Sequence, residues 1–144
     1  MKFAIITHVP HIQYQNQYFA YAPYVREMNI WGEFIGELII VAPIIQTEKT
    51  AIDIPYSQIK INFFEIDTIS LIGLRAIFKT VIKVPKVSWQ IYKAIRQADH
   101  IHLRCPGNIG LLGCLIQILF PSKPKTAKYA GLGLWRMGRK YKEC

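Results

Sequence analysis

Two short stretches carry the side chains best suited to ligand chemistry. One is "HVPHIQ", with His8, His11 and Gln13; the other is "HLRCPGN", with Arg104, Gly107 and Asn108. An imidazole gives or takes a proton near neutral pH. A guanidinium grips carboxylates and phosphates through its planar fork. Pro106 and Gly107 let the backbone turn closely, and Asn108 is placed to cap a helix whose first amides favour an anion. Taken together, His8, His11, Gln13, Arg104, Gly107 and Asn108 describe a crevice for a polar or anionic ligand. His100 and His102 lie inside an apolar run and are expected to be structural. No residue is assigned a catalytic role. No P-loop, H-E-x-x-H, G-x-S-x-G or dinucleotide fingerprint is present, and "GLG" at 131–133 lacks the spacing for one. Cys105, Cys114 and Cys144 show no C-x-x-C spacing, so reduced thiols and no metal site are expected.

The elements that must position these residues alternate between strand and helix. "KFAIIT" (2–7) reads as a buried strand. Residues 8–16 read as a loop, and 17–34 as a helix with Pro23 tolerated near its start. "ELIIVAP" (37–43) is a second strand, 44–59 a polar connector, and 59–66 a third strand. Ser70 is placed to cap a helix from Leu71 to Val84, and Pro85 to open another over 86–97. "HIHLR" (100–104) is a fourth strand, 108–120 a helix, and "KTAKYAG" (125–131) a fifth strand. Strands alternating with helices imply right-handed crossovers and a doubly wound parallel sheet, Rossmann-like, in the order 3-2-1-4-5. The ends of the first and fourth strands then flank the point where the winding reverses. That is where such sheets hold ligands.

The 144 residues suit a single domain. A hydrophobic fraction of 51% is ample for a core and too rich for a disordered chain. The longest apolar run, Ile109 to Phe120, falls short of the roughly 20 residues that a membrane span needs. The start lacks the apolar stretch and cleavage site of a signal peptide, so a cytoplasmic protein is expected. Charge is uneven: residues 1–69 carry net −3 and residues 70–144 carry net +12, within a total of +9. A basic half implies an anionic partner. Arg75, Lys79 and Lys83 recur at four-residue spacing on a helix otherwise almost wholly apolar. That pattern suits peripheral docking on an anionic membrane at the inner face of the cell membrane. Nucleic acid is not expected, because no recognition motif accompanies the charge.

With these residues in view, "MKFAIITHVPH", "ADHIHLRCPGNIGLLG" and "KTAKYAG" resemble the N-terminal half of bacterial glycosyltransferases of family 4, which have the GT-B fold. The likeness covers roughly residues 1 to 131. Family members commonly carry H-x-H at the fourth strand's end; here the positions read His102-Leu103-Arg104. The resemblance implies half of a GT-B architecture: an acceptor-binding domain for a glycan or lipid-linked acceptor. The nucleotide sugar would be held by a separate C-terminal donor domain, with no metal or other cofactor, in a hexosyltransferase-type reaction. On this reading the donor domain is missing, and the basic tail 132–144 is aberrant or truncated. A stand-alone module for an anionic ligand or membrane surface is the alternative.

Overall fold

The computed structural model describes residues 1–57, 60–70 and 72–129. Among the described residues, eight strands and three α-helices follow one another. They are β1 (Lys2–Ile6), β2 (Ile12–Tyr14), β3 (Gln17–Tyr21), α1 (Ala22–Gly32), β4 (Glu37–Ala42), β5 (Asp53–Pro55), β6 (Ile61–Glu65), α2 (Leu74–Gln97), β7 (His100–Cys105), α3 (Asn108–Ile116) and β8 (Lys125–Tyr129), with a 3-10 turn at Gln117–Leu119 after α3.

The main sheet has five parallel strands in the order β6-β4-β1-β7-β8. The numbering departs from the expected 3-2-1-4-5 because β2, β3 and β5 intervene in the chain and form their own antiparallel sheet, β2-β3-β5. Taken alone in chain order, the five parallel strands lie third, second, first, fourth, fifth.

The pleat divides the core between the sheet's two faces. Ala4, Ile6, Ile39, Val41, Ile101 and Leu103 face Val87, Ile91, Ala94 and Ile95 of α2. Phe3, Ile5, Leu38, Ile40 and Ala42 face Tyr24, Val25 and Met28 of α1, with Ala20 and Tyr56 beside them. Strands buried on both faces account for the unbroken apolar runs in the sequence.

Five expectations about the elements are corrected. Residues 17–34 are not one helix: 17–21 form β3, and the helix starts at Ala22. Pro23 marks that start, since a proline at the first turn gives up only an N–H that would lack a helical partner anyway. The loop at 8–16 contains β2, which turns into β3 through Gln15 and Asn16. Both have positive φ (48° and 61°), the combination a tight primed hairpin turn demands. The connector 44–59 contains β5. Finally, α2 runs unbroken through Pro85, which sits on its exposed side, so the lost backbone bond faces outward rather than into the core. Ser70 does not cap α2. Gly73, with φ of 87°, precedes the first helical residue, and the Ser70 carbonyl accepts from Thr80 Oγ1 at 2.7 Å. The expected elements at Ile59, Leu71, Ala130 and Gly131, and the tail 132–144, lie outside the described residues.

Close contact between α3 and β7 fixes the end of the sheet where the site lies. A Cβ on Gly110 would fall 2.5 Å from the Arg104 carbonyl oxygen. A backbone atom cannot swing aside, so Gly110→Ala is expected to lift α3 off β7 and to cost about 2 kcal/mol, in the range of overpacked cores. Urea unfolding of the two proteins measures this; an unchanged midpoint would mean that the helix is not seated as described.

Candidate functional site

The candidate site lies where β1 and β7 leave the sheet side by side. β1 ends at Ile6, and Thr7 remains fully buried with its Oγ1 accepting from Val9 N at 3.1 Å. That turn delivers His8 to the surface, exposed. β7 ends at Cys105 and is followed by a cis peptide to Pro106 and by Gly107 at φ 154°, ψ 155°. Glycine is needed there twice over. The backbone lies in a region that side chains rarely adopt, and a Cβ would sit 3.0 Å from His8 Nδ1. The imidazole lies across Gly107, and the two sequence stretches meet at that contact.

Asn108 is the first residue of α3, not its cap, which is Gly107. Its Nδ2 donates to the Ile69 carbonyl at 3.2 Å, tying the start of α3 to the loop after β6. His8, Gly107 and Asn108 therefore stand together at the carboxyl end of the parallel sheet.

Arg104 is held differently from the expectation of a side chain open to the crevice. Its side chain is only 10% exposed. Nη1 donates to Glu27 Oε2 at 3.1 Å, and the guanidinium lies 4.6 Å from the centre of the Tyr24 ring. Lys128 Nζ reaches the other oxygen of Glu27 at 2.7 Å. Burial works against the Glu27 carboxylate, but the bonds and charges of Lys128 and Arg104 prevail and hold its pKa below the usual value. Arg104 is thus a neutralised, stacked wall element. Glu27, Tyr24 and Lys128 were not singled out from the sequence. No spacing signals them, because Glu27 and Arg104 are 77 residues apart.

His11 does not line the crevice. Its backbone runs beside the end of β4, with N donating to the Pro43 carbonyl and O accepting from Ile45 N, both at 2.9 Å. That pairing turns the ring inward, where it is fully buried and stacked on Tyr56. Nδ1 donates to the Val9 carbonyl at 2.8 Å, so Nε2 accepts from the Tyr56 hydroxyl at 2.7 Å. Burial pushes its pKa down to about 4.

Gln13 is exposed on β2 and borders a separate hollow of about 380 Å³ with Thr47, Glu48 and Lys49. His100 and His102 stack on Phe3 and share Thr126 Oγ1 as a hydrogen-bond partner, at 3.1 and 2.8 Å. Burial pushes His102 down to about 4. Arg75, Lys79 and Lys83 lie along the first half of α2, well separated in the chain from these groups.

Among the described residues, no three His, Cys, Asp or Glu side chains are grouped as metal ligands, and no helix is long and apolar enough to cross a membrane. Cys105 and Cys114 are free thiols; Cys144 lies outside the described residues. Chemically, the meeting point of β1 and β7 offers an exposed imidazole, a close-approach backbone at Gly107 and the opening turn of α3. That set suits hydrogen bonding to a hydroxyl-rich ligand. No family model, no curated protein and no solved structure matches the chain.

Proposed function

We propose that this domain is the Rossmann-like, acceptor-binding half of a glycosyltransferase with GT-B architecture. It would serve transfer of a sugar from a nucleotide sugar to a glycan or lipid-linked acceptor, the donor being held by a second domain. One observation carries the reading. Two of the three stretches that bear the family resemblance meet at the reversal point of a parallel sheet, His8 against Gly107. On this reading His8 and the backbone at Gly107 and Asn108 receive the acceptor's hydroxyls, and Arg104 positions that wall without touching the ligand. Gln13 and His11 take no part. The alternative of a stand-alone module for an anionic ligand is weaker at this crevice, because Arg104, the cation nearest it in sequence, is already neutralised by Glu27.

Calorimetric titration tests the proposal. The purified chain is expected to take up a short-chain lipid-linked sugar or an oligosaccharide and to leave UDP- and GDP-sugars unbound. A GT-B donor site needs its second domain to stabilise the diphosphate, and such electrostatic contacts usually dominate catalysis. Micromolar binding of a nucleotide sugar without any acceptor binding would overturn it.

A further inference from the structure

The first half of α2 is apolar on the side that faces away from the protein. Val87, Ile91, Ala94 and Ile95 bury the inner side against the sheet. Outward stand Leu74, Phe78, Val81 and Ile82, which are 87%, 71%, 63% and 66% exposed, and Trp89 further along. At about 100° per residue these fall in one stripe, and Arg75, Lys79, Lys83 and Lys86 form the adjoining stripe. The apolar surface continues across a groove of about 270 Å³, lined by Pro85, Trp89, Tyr92, Ile116 and Leu119, to the exposed Leu115 and Ile118. A continuous apolar patch of this kind marks a docking surface.

We propose that this face of α2 and the α3 end rests on the surface of an anionic bilayer. The charge pattern selects that occupant. Lys83 and Lys86 share Asp67 at 4.0 and 3.4 Å, while among the described residues no carboxylate lies within ion-pair distance of Arg75 or Lys79. A second copy of the chain would bring a like-charged stripe against this one. Residues 130–144 contain four Arg and Lys and a single acid, so they are no better a complement. Anionic headgroups match the basic stripe, and the acyl boundary matches the apolar one, as in helices that lie in a membrane interface.

The placement also bears on the acceptor. α2 begins after the loop that Asn108 ties to α3, so Leu74 and Phe78 stand towards the same carboxyl end of the sheet as His8 and Gly107. Docking there presents the crevice to the bilayer, which makes a lipid-linked acceptor the favoured class. This last step rests on the glycosyltransferase reading; the docking itself does not.

Co-sedimentation with vesicles of phosphatidylcholine alone, or with about a third phosphatidylglycerol, tests it. With each basic residue contributing about 1 kcal/mol near such a surface, Arg75, Lys79 and Lys83 together correspond to a preference on the order of 100-fold for the anionic vesicles. The triple variant Arg75→Glu, Lys79→Glu, Lys83→Glu should lose that preference, and Phe78→Ser with Ile82→Ser should weaken binding to both vesicles. Arg75, Lys79, Phe78 and Ile82 are solvent-exposed and Lys83 is half-buried at the surface, so circular dichroism should show unchanged folding. Equal binding to both vesicles, undiminished binding by the triple variant, or a dimer in sedimentation analysis that Phe78→Ser with Ile82→Ser dissolves would each overturn the proposal. None of these outcomes touches soluble-acceptor binding, so the two proposals fail separately.

Discussion

Acidification from neutrality to about pH 4 is expected to remove about 3 kcal/mol of folding stability through His11 alone. The ring is buried with its pKa pushed down to about 4, against an ordinary value of 6.5. Below pH 6.5 the unfolded chain takes up a proton that the folded chain refuses, so the unfolded state gains. The contribution is fully present above pH 6.5 and drains away as pH falls towards 4, at about 1.4 kcal/mol per pH unit. His102, also buried, should add to the loss in the same direction and window. Protonating His11 would place a proton on Nε2, the atom that accepts from Tyr56, so the hydroxyl must turn away before the charge can enter. Urea titrations across this range measure the effect. His11→Phe keeps an aromatic ring beside Tyr56 and removes the titrating group. It should be less stable at neutral pH and flatter in its pH dependence by the His11 share, the His102 share remaining. An unaltered slope in the variant would place the titrating group elsewhere.

The second large effect concerns Glu27 and is asymmetric. Glu27→Gln should destabilise the fold by about 2–3 kcal/mol, because it leaves the 90%-buried Arg104 guanidinium without its counter-charge. The figure sits below the usual cost of breaking a fully buried pair because the Glu27 side chain is 23% exposed and partly screened. Arg104→Met should cost clearly less. Methionine fills the space beside Tyr24 with an apolar stem, and Glu27 keeps Lys128 at 2.7 Å. The Glu27 pKa is depressed, so its contribution is present above the ordinary carboxylate value and is lost only as pH falls below it. That window is lower than the one set by His11. Chemical denaturation of both variants separates the cases. An Arg104→Met variant less stable than Glu27→Gln would contradict a wall role for Arg104.

The parallel sheet was legible because β1 and β4 are nearly unbroken apolar runs and β7 keeps apolar residues at alternate positions, each bounded by polar or turn residues. The second sheet was not. "QYFAY" carries aromatic residues that a helix face also tolerates, and only the paired positive-φ turn at Gln15 and Asn16 gives the hairpin away. Pro85 read as a boundary because a proline usually ends a helix, yet here its cost falls on the outward side and the inner face packs on unbroken. For the crevice, His8 and Gly107 followed from topology: wherever strands 1 and 4 of a doubly wound sheet adjoin, their carboxyl ends adjoin too. Arg104 and His11 could not be placed that way. The position of each side chain is decided by a distant partner, Glu27 for one and Tyr56 for the other, and no local pattern announces either pairing.

The nuclear magnetic resonance signal of the His8 ring carbon-bound hydrogens, followed while a short-chain lipid-linked sugar or an oligosaccharide is added, probes the crevice itself. The expected result is a saturable shift at His8 while the signals of buried His11 and His102 stay in place, with the response lost in Gly107→Ala, where the new Cβ presses on the His8 ring. Acceptor binding that leaves His8 unmoved, or a His8 shift produced instead by a nucleotide sugar, would contradict an acceptor crevice at the ends of β1 and β7.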